Sequence, residues 1–468
     1  MNFFTLSFAA VFTVLFFAWW AAPRAGRVWL LAAANLAFSL LLGLPVTAVL
    51  AGVTLAGFFA GHFVAKRPGR GRLWLGVLLL LAPLTFYKAA LLLPAGPFAG
   101  ILMPLGLSFY TFKSVSYLIE IARGHLQPET DFLRYFCYIG FFPQLPMGPI
   151  QRPGAFFAAL DGLGSSLNEP LAWSGVTRIC WALFLKKCLA DPFSTYMGAL
   201  ASPQQYHPLS VVFSLAAYSL YLYFDFAAFS QMAIGLGELL GLPCAENFKS
   251  PYFARSVGDF WHRWHISLSS FLQQYIYFPL GGSRNGVPVL IFSTMATFLL
   301  SGLWHGVTGG FLVWGGLHGL FLLAGRATRP AREKLWAACP GFVSGPVRSL
   351  LAWGFTLCLV GVGWLFFYAE TLPAALELWR RIFTPVPFSL QYIKESLVLV
   401  GFTPARLLRQ GLLLALAALV DWRSRETGFG AWAAGLSVPV RLALCYASLF
   451  LVLFFGSLGS LPGVYFAF

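Results

Sequence analysis

Apolar stretches long enough to cross a lipid bilayer recur along most of this 468-residue chain, and they constrain its fold more than any motif does. A membrane-spanning helix needs about 20 predominantly apolar residues, set by a hydrocarbon core about 30 Å thick. Such runs open the chain at 3–21, 28–44, 46–64 and 73–93, and return at 209–227, 287–303, 311–324, 347–367, 412–420 and 441–455. Some are short or interrupted. The expectation is an all-α polytopic membrane protein of about ten to twelve transmembrane or re-entrant helices, because lipid tolerates only backbone that bonds to itself. Composition agrees: 59% of residues are hydrophobic and 10% charged, whereas a soluble domain carries about 25% charged residues. The first run lacks a basic leader at Met1-Asn2-Phe3-Phe4, and Ala21-Ala22-Pro23-Arg24 leads directly into the second run. It reads as a retained anchor rather than a signal peptide.

The net charge is +15, and its basic residues gather in short connections: Arg24 and Arg27, then Lys66, Arg67, Arg70 and Arg72. If 28–64 is a helical hairpin, both groups lie on one side, and the basic side of a membrane protein is the cytoplasm. The N-terminus and the uncharged stretch Pro94 to Gly100 then face outward. Such a surface suits anionic lipid headgroups or a phosphate-bearing cofactor; no nucleic acid is expected. The seven cysteines (137, 180, 188, 244, 339, 358, 445) show no metal-ligand spacing and read as small apolar residues. The polar interruptions at 125–131, 152–170 and 326–346 are too short for a soluble domain, so residues 1–468 are expected to form a single membrane domain.

The stretch from Glu246 to Arg284 differs from both spans and loops. Ser256-Val257-Gly258-Asp259 resembles a capping box. From there Trp261, His265, Leu268 and Leu272 follow helical spacing on one face, with Arg263, Ser267, Ser270 and Gln274 on another. The pattern predicts one interfacial amphipathic helix, stopped by Pro279-Leu280-Gly281-Gly282.

Ionisable groups in apolar surroundings carry the functional information of a membrane chain, because lipid excludes them. Asp225, Lys113, Glu120, Lys186, Lys187 and Asp191 all stand in such surroundings. Each either pairs inside the bundle or serves function. His305, in Leu303-Trp304-His305-Gly306, can take a proton from a hydroxyl near pH 7 and return it. Gly302, Gly306, Gly309 and Gly310 would leave room beside it for a substrate; the competing reading is a structural histidine among residues kept small for helix packing. His265 reads as a buried, hydrogen-bonded histidine, and His318 as a weaker candidate still. No nucleophile elbow, nucleotide-binding loop or zinc motif is present.

These motifs resemble those of the membrane-bound O-acyltransferase (MBOAT) family. The resemblance rests on Phe260-Trp261-His262-Arg263-Trp264-His265-Ile266-Ser267-Leu268-Ser269 and on Leu303-Trp304-His305-Gly306. More narrowly, the chain resembles the alginate O-acetyltransferase membrane subunits and their bacterial relatives. Further blocks carry that likeness: Pro104 through Phe112, Phe141-Phe142-Pro143-Gln144-Leu145 with Gly148-Pro149-Ile150, Tyr223-Phe224-Asp225-Phe226, Glu246-Asn247-Phe248 with Pro251-Tyr252, Tyr277 through Arg284, and Tyr465-Phe466-Ala467-Phe468. The resemblance implies His305 as catalytic histidine and His265 as its second functional histidine, both lining a central tunnel. It implies acetyl-CoA as cytoplasmic donor, no metal, an exopolysaccharide as final acceptor, and a periplasmic serine-hydrolase-like partner, in a bacterial inner membrane. The family pattern has Arg-Asp where Gln273-Gln274 stands, Asp at Gln231 and Arg at Tyr368. These departures spare both histidines and remove charge from loops that could touch a donor phosphate or a partner, so they bear on the substrate.

The mechanism implied is general-base acyl transfer, with His305 deprotonating an acceptor hydroxyl or a partner serine. His265 would orient the acceptor or stabilise the oxyanion. Transfer of D-alanyl groups from a carrier protein to a cell-wall polymer is an alternative of the same class. A membrane transporter or export pore is one of another class, although the chain shows no pair of related halves.

Overall fold

The structure, a computed structural model, describes residues 3–90, 92, 103–339, 345–369, 371–386, 389–457 and 459. The Pro94–Gly100 stretch and the closing Tyr465–Phe468 block lie outside them. All regular structure among the described residues is helical. The long helices are α1 (Leu6–Ala21), α2 (Arg24–Leu42), α3 (Leu44–Lys66), α4 (Arg70–Ala90), α5 (Leu107–Ala122), α6 (Glu169–Phe184) and α7 (Pro208–Leu239). Two short helices follow, α8 (Val257–Arg263) and α9 (Ile266–Leu272). Then come α10 (Gly286–His305), α11 (Gly309–Ala327), α12 (Pro346–Tyr368), α13 (Leu390–Val400), α14 (Pro404–Ser424) and α15 (Val438–Phe455). Among the described residues eight helices are long and apolar enough to cross a membrane, and α13 with α14, bent by 78°, makes a ninth if the pair is one broken span. Among the described residues α1 is a shorter apolar helix. The fold is thus an all-α, multi-pass membrane protein.

Helix α7 is the axis of the bundle. At 32 residues it is about 48 Å long, well beyond the hydrocarbon core. Its C-terminal part, Tyr221 to Glu238, is buried throughout and so faces protein rather than lipid. By contrast α1, α4 and α15 turn Phe17, Leu78 and Leu453 outward, the pattern of a lipid-facing surface.

Basic helix ends collect on one face. Helices α4 and α5 run antiparallel, with Leu118 against Gly76, so Arg123 returns to the Arg70 end. The Lys88 ammonium, in the last turn of α4, donates to the His305 carbonyl at 3.4 Å. The His305 end of α10 therefore lies opposite the Arg70 end, and Arg326 at the close of α11 and Arg348 at the start of α12 fall on the basic side.

The buried Lys186, Asp191 and Asp225 are paired with one another. Lys186 reaches Asp225 at 2.7 Å and Asp191 at 2.8 Å, from a π-type turn at Leu185–Ala190 that interrupts the helix after α6. Lys113 donates to Gln144 Oε1 at 3.0 Å and sits 4.8 Å from the Tyr138 ring. Glu120 accepts from the Tyr275 hydroxyl at 2.7 Å. Ion pairing therefore accounts for Lys186, Asp191 and Asp225, while Lys113 is satisfied by a neutral amide and a ring, and Glu120 by a hydroxyl beside Arg123.

Gln231 corrects one expectation: it is buried in α7, not in a loop. Arg178 donates to it at 2.6 Å while also pairing with Glu238 at 3.1 Å and with Glu246. Gln273 is exposed in a second π-type turn, Gln273–Tyr277, and Gln274 beside it donates to Glu120 at 3.4 Å. Tyr368 ends α12 and packs its ring edge-on against Tyr218 at 5.1 Å.

Candidate functional site

The predicted amphipathic helix is not continuous. Ser256 caps α8 as expected, accepting from the Asp259 N–H at 3.0 Å, while the Asp259 carboxylate reaches one residue further back, to the Arg255 N–H at 3.1 Å. The helix then stops after Arg263 and restarts at Ile266. Between them His265 adopts φ 44°, ψ 53°, the left-handed conformation, which costs a non-glycine residue roughly 1–2 kcal/mol.

Hydrogen bonds from one loop hold this break open. The segment after α7 runs back along the bundle, and its backbone pairs with both broken ends. The Lys249 N–H donates to the Arg263 carbonyl at 2.9 Å, and the Ile266 N–H donates to the Asn247 carbonyl at 2.9 Å. The Asn247 side chain completes the seal: its Oδ1 accepts from the Ser267 hydroxyl at 2.8 Å and the Ser267 N–H at 3.3 Å, while its Nδ2 donates to Ser230 at 3.0 Å. The Ser267 hydroxyl oxygen in turn accepts from the Ile150 N–H at 3.0 Å. Periodicity in 256–274 alone could not reveal the break, because the loop that causes it lies elsewhere in the sequence. Among the described residues the non-glycine positions with positive φ are Ser250 and His265, both in this small assembly. Backbone outliers held by surrounding structure mark functional sites more often than ordinary helix.

His265 is 1% exposed. Its ring meets Phe226 edge-on at 4.7 Å and lies 6.4 Å from Phe109 and 6.1 Å from Trp304. Burial pushes its imidazole down to about 3, so it is neutral at neutral pH. His305 ends α10, also buried, with Trp304 at 4.4 Å, Trp314 and Phe367 each at 5.0 Å and Phe311 at 6.3 Å. Trp304 thus packs against both candidate histidines, and it belongs with them although nothing in its motif beyond adjacency to His305 singles it out. Two buried imidazoles in one aromatic chamber can exchange a proton with a hydroxyl.

The glycines around His305 do not leave open space. A Cβ at Gly302 would fall on the Phe311 carbonyl, one at Gly306 on the Phe311 ring, and one at Gly310 would lie 2.6 Å from the Ala369 oxygen. They let α10, α11 and the end of α12 touch, which corrects the expectation of substrate room there. Gly309 is the exception, with nothing closer than Leu372 Cβ at 3.7 Å. His318 is structural in its contacts: its Nδ1 accepts from the Trp261 indole N–H at 3.2 Å. Among the described residues no cluster of His, Cys, Asp and Glu could hold a metal ion.

A cavity of about 530 Å³ opens near the basic helix ends, lined by Arg255, Arg263 and Arg425, by the carboxylates of Asp259 and Glu426, and by aromatic rings such as Trp353 and Trp422. Arg263 is held by Asp259 at 2.7 Å and by the Arg425 carbonyl at 2.7 Å, and the Arg425 guanidinium lies 4.8 Å from the centre of the Trp422 ring. Neither the periodicity nor the motifs brought these three arginines together.

Residues 100–362 match MBOAT, the membrane-bound O-acyltransferase family. The chain is 33% identical over 395 residues to a Pseudomonas putida protein named probable alginate O-acetylase AlgI, covering 80% of this chain and 78% of the relative. It is 32% identical over 308 residues to a Helicobacter pylori peptidoglycan O-acetyltransferase, covering 60% of this chain and 56% of that protein. A Bacillus subtilis teichoic acid D-alanyltransferase is 29% identical over 230 residues, 47% of this chain and 58% of the relative.

Proposed function

The chain belongs to the membrane-bound O-acyltransferase family, and from that premise we propose that it passes acetyl groups from cytoplasmic acetyl-CoA to an exopolysaccharide, with His305 as general base and His265 as its partner. As an O-acyltransferase it is an enzyme, and the transporter reading is set aside. The observation that carries the assignment is the packing of His265 and His305 on the same buried ring, Trp304.

In the proposed reaction the neutral imidazole of His305 takes the proton of an acceptor hydroxyl as its oxygen attacks the thioester carbonyl. The C–S bond then breaks, and the same proton returns from His305 to the departing thiolate, giving free CoA. His265 orients the hydroxyl or stabilises the oxyanion. The acceptor is the polymer itself or the serine of a periplasmic serine-hydrolase-like partner that relays the acetyl group. Entry of the donor from the cytoplasm rests on the positive-inside rule, applied to the basic face of the bundle. The arginine-lined cavity on that face supports a donor carrying phosphates, since guanidinium groups pair well with phosphate oxygens. The chain would act as one membrane-embedded unit in a bacterial inner membrane. D-alanyl transfer from a carrier protein keeps a place as a second reading because one relative bears that name.

Mass spectrometry of the exopolysaccharide from cells carrying wild type or His305→Ala tests the proposal. Loss of acetyl groups with normal amounts of folded protein in the membrane supports it. Unchanged acetylation removes His305 from the chemistry, and loss of D-alanyl rather than acetyl groups selects the second reading.

A further inference from the structure

The contacts of Asn247 decide which nitrogen of His265 carries the proton. A backbone N–H can only donate, and the Ser267 N–H points at one side-chain atom of Asn247 at 3.3 Å. The Ser267 hydroxyl, whose oxygen already accepts from the Ile150 N–H, gives its own proton to the same atom at 2.8 Å. That atom must therefore be the amide oxygen, and the amide NH2 faces Ser230 Oγ at 3.0 Å. His265 Nδ1 lies 3.1 Å from this oxygen. An amide oxygen offers no proton, so Nδ1 must supply one.

A neutral imidazole with its proton on Nδ1 has a bare lone pair on Nε2. Here Nε2 is buried and has no hydrogen-bond partner among the described residues. The ring stands among Phe109, Phe226 and Trp304, and no side chain among the described residues donates to that lone pair. A buried acceptor left open costs about 1–3 kcal/mol, a cost reasonable where a ligand supplies the missing donor.

We propose that Asn247 is a positioning residue that locks His265 in the Nδ1–H tautomer, so that Nε2 accepts a hydrogen bond from the hydroxyl of the acceptor substrate. The inference rests on the acyl-transfer reading above and sharpens it. A lone pair facing a developing oxyanion would repel it, so His265 receives the hydroxyl-bearing substrate and does not stabilise the oxyanion. The acceptor-side ligand is therefore an alcohol that donates its proton to Nε2, be it a sugar hydroxyl or a partner serine. The left-handed backbone at His265 fits this role, because it aims the side chain against Asn247 where a continuous helix would not.

The test is nitrogen NMR of the full-length protein in nanodiscs with isotope-labelled histidine, the His265 signals being identified by their absence in His265→Gln. The expected result is a protonated Nδ1 and an unprotonated Nε2; a protonated Nε2 in the wild type overturns the proposal. Asn247→Leu is expected to mix the two tautomers and to lower polymer acetylation roughly tenfold, the loss of one well-placed hydrogen bond. Asn247→Asp keeps an oxygen for Nδ1–H and is expected to restore the single tautomer. If Asn247→Leu leaves the tautomer unchanged, Asn247 is not what locks it. Failure of the broader reading would look different: His305→Ala would keep its acetylation while the His265 tautomer stayed as described.

Discussion

The Lys186 ammonium lies 2.7 Å from the Asp225 carboxylate, with both side chains fully buried in the centre of the bundle. Asp191 closes the group at 2.8 Å from the same nitrogen. Desolvating three charges is tolerable only while they remain together, and removing one strands the others. Lys186→Met should therefore lower stability by about 3–5 kcal/mol, whereas Lys186→Met with Asp225→Asn should recover a large part of that loss. Thermal unfolding in detergent measures both. Equal damage from the single and double variants would show that the ammonium, rather than the stranded carboxylates, is what the bundle needs.

Gly306 separates two accounts of the glycines near His305. If they exist for packing, Gly306→Ala drives a methyl into the Phe311 ring, which itself stacks 6.3 Å from His305 and meets Phe367 at 5.0 Å. Overpacking of this kind costs about 1–3 kcal/mol. The variant should lose stability as well as turnover, while Gly309→Ala, with open surroundings, should change neither appreciably. A Gly306→Ala protein of wild-type melting temperature and no activity would instead mean that the glycine keeps a substrate path clear.

How far the sequence carried this picture depends on the range of the contacts concerned. The helices are legible because lipid imposes one length and one composition on each, so local windows suffice. His305 and His265 are legible as members of motifs. The break at His265 is not: its pattern of Trp261, His265, Leu268 and Leu272 is good helix, and the loop carrying Asn247 to it acts through tertiary hydrogen bonds. The same holds for Gln231, whose flanking residues say nothing of Arg178, which comes from α6 to bind it. Gly302 and Gly306 are not legible from the sequence for a related reason. A missing side chain marks a close approach, and only the neighbouring helix reveals that the approaching group is Phe311.

Glu120 gives a pH signature outside the long membrane-spanning helices. Burial pushes its carboxyl up, but hydrogen bonds from Tyr275 and His125 and the nearby Arg123 outweigh it, and the net displacement is downward from 4.5. A carboxylate depressed in the folded state contributes stability above its unfolded value and loses it as pH falls through the folded value. The stability difference between wild type and Glu120→Gln should be constant near neutrality and shrink on acidification below about pH 4.5. Melting curves across that range measure it. A difference that instead grows in acid would mean that Glu120 is held protonated.

The arginine-lined cavity predicts a donor effect that can be isolated from the histidines. Arg263 is already committed to Asp259 and to backbone oxygens, and Arg425 pairs with Glu426 at 3.4 Å and donates to the Trp422 carbonyl at 2.6 Å, whereas the Arg255 guanidinium has no ion pair among the described residues. Arg255 is therefore the guanidinium free to meet phosphate oxygens, and Arg425 would have to exchange Glu426 for them, each such charge-assisted bond contributing about 1.5–3 kcal/mol. Arg255→Glu and Arg425→Glu should each raise KM for acetyl-CoA roughly tenfold or more, with kcat little changed, since neither arginine touches the histidine chamber. The increase should diminish at high salt. Acetyl-pantetheine, a donor without the nucleotide phosphates, provides the control: the wild type should use it poorly, and the two variants should use it no worse than the wild type does. An equal penalty on both donors would show that these arginines shape the protein rather than bind phosphate.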